Sequence, residues 1–209
     1  CRALPSNSQN DQEIDRCLSL FREAYDQSWQ EATVYAGIPD LLDQLAPDIP
    51  LAVLSNKDDI FTRQCVDYFF PNRFRLAIGA SASIRHKPDP SGAVHIAEQL
   101  DVEVDQLWMI GDTPTDMQTA RESGMKGIAV LWGFRGRDEL ANHGANHIIV
   151  APEDLLQLTL ALGSELLVSS SILSSEEEAQ QALREHLTSG RAYEKFIEMV
   201  LAQGGDPNA

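Results

Sequence analysis

The sequence predicts an α/β fold: a parallel sheet of the doubly wound type with helices on both faces, preceded by a helical segment and followed by an all-helical tail. Three observations predict it. Short apolar runs at residues 51–54, 75–78, 107–110 and 127–131 alternate with helical patterns, as strand–helix units do. Polar residues follow directly at the ends of the first and third runs, where ligands bind in open sheets of this kind. Beyond Pro152 the strand pattern stops and only helical spacings remain.

In chain order, Ile14, Cys17, Leu18, Phe21, Tyr25 and Trp29 recur at helical spacing and predict one amphipathic helix over 11–31. Residues 33–37 break it, and a second short helix over 38–46 ends before Pro47 and Pro50. The run at 51–54 reads as a fully buried parallel strand ending in Ser55-Asn56-Lys57, with a helix over 58–69 and a second strand at 75–78. His86-Lys87-Pro88-Asp89-Pro90 is a stiff loop, since each proline restricts the residue before it, and a helix over 91–100 follows. A third buried strand at 107–110 leads to a helix over 115–123, a fourth strand at 127–131 and a fifth at 148–150. In the tail, 155–168 is helical and serines 169–171, 174 and 175 interrupt. Ser175 with Glu178 forms a capping box for the next helix. Tyr193, Phe196, Ile197, Val200 and Leu201 form the apolar stripe of a last helix, expected to fold back as a hairpin with few contacts to the sheet.

The chain of 209 residues carries 32 acidic against 16 basic side chains, a net charge of −16. Such a surface repels phosphodiester backbones and anionic lipid, which argues against nucleic acid and membrane partners. Cys1, Cys17 and Cys65 are scattered and form no Cys-x-x-Cys pair, so neither a disulfide framework nor a zinc site is indicated and a cytoplasmic setting is expected. No apolar run is long enough to span a bilayer. A first residue other than Met suggests a fragment. Oligomeric state is not legible.

The residues that carry chemistry gather at strand ends. In Gly111-Asp112-Thr113-Pro114-Thr115-Asp116 an apolar strand stops at a glycine, and a carboxylate follows at once. The threonines, Pro114 and Asp116 all suit the start of a helix. Asp112 and Asp116 lie close enough to share one hard cation such as Mg²⁺ through oxygen or water. They also suit simple helix capping. Ser55 and Asn56 offer a hydroxyl and an amide to phosphoryl oxygens, and Lys87 an ammonium to neutralise developing charge. Singly, these three suit a cap, a turn and a surface lysine. Together, at successive strand ends, they fit a site for a small phosphorylated metabolite.

Residues 51–57, Lys87-Pro88-Asp89-Pro90 and 110–116, with Ala120 and Gly124 beyond, resemble the second, third and fourth motifs of haloacid dehalogenase-type phosphatases, nearest to phosphoglycolate phosphatases. The resemblance covers about residues 21–156 and implies a Rossmann-like core over 34–157 and, over 1–33, the remnant of a helical cap. It implies that Ser55 and Asn56 bind the phosphoryl group and that Lys87 stabilises it and the nucleophile. Asp112 would ligate Mg²⁺, with Asp116 ligating it or ordering its waters. The family's reaction also needs an Asp-x-Asp pair at the end of a first, central strand, and no apolar strand here ends in one. The strands at 51–54 and 107–110, which would flank that strand, are expected either to pair directly, the favoured arrangement, or to stay apart around a poorly filled slot, and this chain is expected to be inactive by itself. The tail, 158–209, resembles a segment of pyrimidine nucleoside phosphorylases in Ser189-Gly190-Arg191-Ala192 and Gln203-Gly204-Gly205-Asp206, which would make the chain a chimera. The alternative reading is a non-catalytic fragment that binds phosphate and Mg²⁺ or serves only in packing.

Overall fold

The computed structural model describes Pro5 and residues 10–45 and 49–189. The chain forms two compact units, Cys1–Val34 and Tyr35–Ala209.

The first unit is a helix, α1 (Asp11–Ser28), continued by a 3-10 turn at Trp29–Glu31. Asn10 caps it, its side chain accepting the Glu13 N–H at 2.9 Å. Phe21 stacks on Tyr25 one turn later. The apolar stripe read from the sequence is present but uncovered: no residue of α1 is buried, and Leu20 and Phe21 are mostly exposed.

The second unit runs α2 (Ile38–Leu45), β1 (Ala52–Asp58), α3 (Asp59–Phe69), β2 (Leu76–Ala80), α4 (Ser91–Leu100), β3 (Trp108–Gly111), α5 (Pro114–Ser123), β4 (Lys126–Val130), α6 (Arg137–Asn142), β5 (His147–Ile149), α7 (Pro152–Ser169) and α8 (Glu176–Ser189). Every strand pairing is parallel. β4 lies between β3 and β5 and alternates as a covered strand must. Ile128 and Val130 join Leu41, Leu45, Ile149 and Leu155 on the face held by α2 and α7. Ala129 joins Met117 and Leu140 on the face held by α5 and α6. Helices on both faces of a parallel sheet are thus observed. α6 was not foreseen, because only Leu140 of its six residues is buried and one apolar residue makes no periodicity.

Direct pairing of the strands at 51–54 and 107–110 is not what forms. Among the described residues β1 pairs only with β2, and β3 only with β4, in two separate sheets. Leu51 gives its carbonyl to Arg75 at the foot of β2, so Leu54, three residues on, turns its carbonyl to the free edge. There the Lys87 ammonium donates to it at 2.8 Å, supplying a partner that a neighbouring strand would otherwise provide. The full burial expected of these two strands is corrected for the same reason. Residues 52–55 are half-buried, and Ile110 is 43% exposed beside the free edge of β3.

α8 packs on α7: Leu183 lies against Gly163, Arg184 donates to Gln157 at 2.7 Å, and Ala179, Leu160 and Ser164 are buried. At its start the Ser175 hydroxyl accepts the Glu178 N–H at 3.2 Å. The Glu178 carboxylate accepts from the Ser174 hydroxyl rather than closing the expected reciprocal bond to Ser175. The stripe from Tyr193 to Leu201, and residues 190–207 of the nucleoside phosphorylase resemblance, lie outside the described residues.

Candidate functional site

β1 carries Ser55 and Asn56 to the carboxyl edge of its sheet. The Ser55 oxygen accepts the Lys57 N–H at 3.1 Å, which orients the hydroxyl and leaves its own hydrogen to donate. Asn56 is committed differently. Its amide donates to the Lys87 carbonyl at 3.0 Å, and its oxygen accepts the Lys87 N–H. Its side chain therefore clamps the lysine loop to the end of β1, a positioning role the sequence reading did not give it.

Lys87 stands at the centre. Its peptide bond to Pro88 is cis. The side chain is 14% exposed, and its ammonium donates to the Leu54 carbonyl and, at 2.7 Å, to Oδ1 of Asp116. One nitrogen thus ties the end of β1 to the start of α5. Both partners of the ion pair are largely withdrawn from water, so the pair is screened little.

Asp116 is held from both sides. Its Oδ2 accepts the Thr113 hydroxyl at 2.6 Å and the Thr113 N–H at 3.1 Å, completing a capping box at the N-terminus of α5. The capping role weighed for Asp116 in the sequence is thus observed, and the same carboxylate also holds the Lys87 ammonium. Its side chain lies over Gly111, where an added Cβ would collide with it. Asp112, at the tip of β3, accepts the Phe134 N–H on Oδ2 at 3.0 Å, and its Oδ1 has no partner among the described residues.

Lys87 therefore joins β1, which carries Ser55 and Asn56, to Asp116 at the start of α5, and Asp112 stands at the end of β3 just before that helix. Among the described residues no three His, Cys, Asp or Glu side chains converge. Mg²⁺ does not need three, since it keeps several waters and takes one or two carboxylates. The donor set fits it unequally. Asp112 offers an open oxygen, whereas both Asp116 oxygens already accept from the protein.

The sequence reading missed the loop after β4. Phe134 supplies the donor to Asp112, and Gly133 lies against the same carboxylate. The available signal was a glycine just past an apolar strand, since the loops after parallel strands all reach the same sheet edge.

Residues 1–130 match the sequence profile of the haloacid dehalogenase-like hydrolases. The chain belongs to this family. Among curated relatives, phosphoglycolate phosphatase 1 of Pseudomonas aeruginosa is 27% identical over 188 residues, covering 87% of this chain and 69% of that protein. Phosphoglycolate phosphatase of Pseudomonas putida is 29% identical over 132 residues, covering 62% of this chain and 46% of that one. A solved structure of a candidate phosphoglycolate phosphatase from Lactobacillus delbrueckii subsp. bulgaricus superposes with a TM-score of 0.66 at 34% identity, over 73% of this chain and 64% of that chain. A haloacid dehalogenase-like hydrolase from Streptococcus pneumoniae, at TM-score 0.68 and 24% identity over 74% and 73% of the two chains, shares the fold. The chain thus spans roughly half to two thirds of the length of these relatives. Among the described residues no helix is long and apolar enough to cross a membrane.

Proposed function

We propose that this edge is the phosphate- and cation-binding part of a Mg²⁺-dependent phosphomonoesterase acting on small phosphorylated metabolites of the phosphoglycolate kind. The observation that carries the reading is the Lys87 ammonium, shielded from solvent and shared between the Leu54 carbonyl and Asp116. It is a fixed positive charge at the strand ends of a chain whose net charge is −16. Phosphoryl transfer asks for preorganised charge of this kind, since a donor already in place needs no reorganisation as charge develops.

In this reading the Ser55 hydroxyl donates to a phosphoryl oxygen, and Lys87 neutralises the charge that gathers on the group. Asp116 and the Asn56 clamp keep the lysine in register. Asp112, with Asp116 beside it, would hold Mg²⁺, which supplies charge neutralisation at the phosphate oxygens when bound. Among the described residues no strand ends in an Asp-x-Asp pair of the kind that would attack phosphorus and shuttle the proton, so we place binding here and expect no turnover from these residues alone.

Two measurements test this. Inorganic phosphate titrated calorimetrically with saturating Mg²⁺ should bind the unmodified chain, and binding should weaken at least tenfold in Lys87→Ala. Undiminished binding in that variant would refute the site. Phosphate release from phosphoglycolate and from an aryl phosphate should be no faster for the unmodified chain than for Asp112→Asn. Turnover that disappears in the variant would show that a residue of this chain supplies the nucleophile.

A further inference from the structure

Asp112 sits in a space that exists only because residue 133 has no side chain. A Cβ built on Gly133 would collide with the Asp112 Cβ and Oδ2 and would meet Cγ at 2.5 Å. Contacts that short are not tolerated, and the identity of the atoms matters. A carboxylate oxygen can swing away about χ1 and χ2, but the Asp112 Cβ is fixed by the backbone at the tip of β3 and no rotamer moves it. The next residue of the same loop, Phe134, donates its N–H to Asp112 Oδ2. One oxygen is thereby tethered and the other left open. Gly136 lies in the same loop, and a Cβ there meets nothing within 4 Å.

We infer that Gly133 is a positioning residue for Asp112: by its lack of a side chain it lets the loop after β4 close over β3, so that the Phe134 N–H orients the carboxylate with Oδ1 presented outward. The inference rests on the proposed cation role of Asp112 for its purpose, but its geometry does not depend on that role. Gly133 does not have the positive φ that would demand glycine for conformation, so the requirement is for space alone. The same device recurs across the site, where the Asp116 side chain lies over Gly111. Each carboxylate of the pair is seated against a glycine on a different strand end. Groups that orient metal ligands are commonly worth ten- to a hundredfold in affinity, which sets the scale of the expected effect.

The test uses Mn²⁺ alone as the probe, followed by the electron paramagnetic resonance of the free ion, with the unmodified chain, Gly133→Ala, Gly136→Ala and Asp112→Asn. Gly133→Ala should weaken Mn²⁺ binding at least tenfold, approaching Asp112→Asn, while Gly136→Ala stays within twofold of the unmodified chain. Mn²⁺ affinity in Gly133→Ala equal to that of the unmodified chain overturns the inference. A double-mutant cycle on thermal stability decides the seating independently of any metal and covers the case where Gly133→Ala folds poorly. Gly133→Ala should lower the unfolding midpoint when Asp112 is present and leave it unchanged in an Asp112→Gly background, where the obstructing side chain is gone. An equal loss in both backgrounds overturns the inference. If the unmodified chain binds Mn²⁺ no better than Asp112→Asn, the cation reading of the site has failed, and the cycle alone settles whether Gly133 seats Asp112.

Discussion

The Lys87–Asp116 pair shows how one contact can hold the candidate site together. Side-chain exposures of 14% and 9% place both charges largely out of water, where the attraction is strong but each ion depends on the other. Replacing one partner leaves an uncompensated charge, so Lys87→Met should cost about 3 kcal/mol in urea denaturation. The exposed pair Asp59–Arg63, with 29% and 59% exposure, offers the contrast, and Arg63→Ala should cost below about 1 kcal/mol. Equal losses from the two substitutions would show that burial does not set the strength of these pairs. The Asn56 clamp explains why the lysine is held at all. Two hydrogen bonds fix the Lys87 backbone before its side chain reaches for Asp116.

At the scale of an element, α7 is joined to the sheet by a carboxylate turn. Asp154 accepts the N–H groups of Val150 and Ala151, each at 3.0 Å, and so fastens the residues leaving β5 to the first turn of α7. These backbone donors, Ala151 first and then Val150, hold the Asp154 carboxyl below its ordinary value of 3.8. A carboxylate with a depressed folded pKa adds stability above the unfolded value, and loses it as pH falls through the folded one. Asp154→Ala should therefore melt below the unmodified chain at pH 7, with the gap narrowing as the pH is lowered through 3.8 and beyond. A gap constant with pH would mean that the charge on Asp154 contributes nothing.

At the scale of the second unit, the governing fact is that its strands lie in two sheets, each with an edge that has no strand beside it among the described residues. In parallel ladders successive residues direct their backbone groups to opposite sides. Leu51 and Leu107 give their carbonyls to the β2 and β4 sides, through Arg75 and Lys126. The amides of Ala52, Leu54, Trp108 and Ile110 then face the open edges, while those of Val53 and Met109 face partners. Amide hydrogen exchange followed by NMR should show this alternation, with the edge-facing amides exchanging at least tenfold faster than Met109 and than Ala129 in the middle strand. Uniform protection along β3 would show that something covers its edge in solution. The half-exposed Ile110 side chain marks the same edge.

The order of elements was legible in the sequence because each rests on local pattern. The 3.6-residue spacing of α1, the prolines flanking α2 and α4, and the apolar runs of β1 to β5 act over a few residues each, and their positions agree with the structure to within a few residues. The parallel, helix-covered sheet followed from their alternation, and the candidate site residues could be named because strand ends in such a sheet share one edge. Pairing and covering were decided by tertiary structure. No local pattern states that β1 and β3 remain in separate sheets, because the Lys87 ammonium that meets the β1 edge is 33 residues from the Leu54 carbonyl it takes. Nor does any state that Asn56 spends its amide on Lys87, or that Gly133 makes room for Asp112, since both depend on loops brought together only when the strands are laid side by side. Local sequence determines what each segment prefers by itself. Which side chains then meet depends on the loops closing over one another, and close packing decides that among residues far apart in the chain.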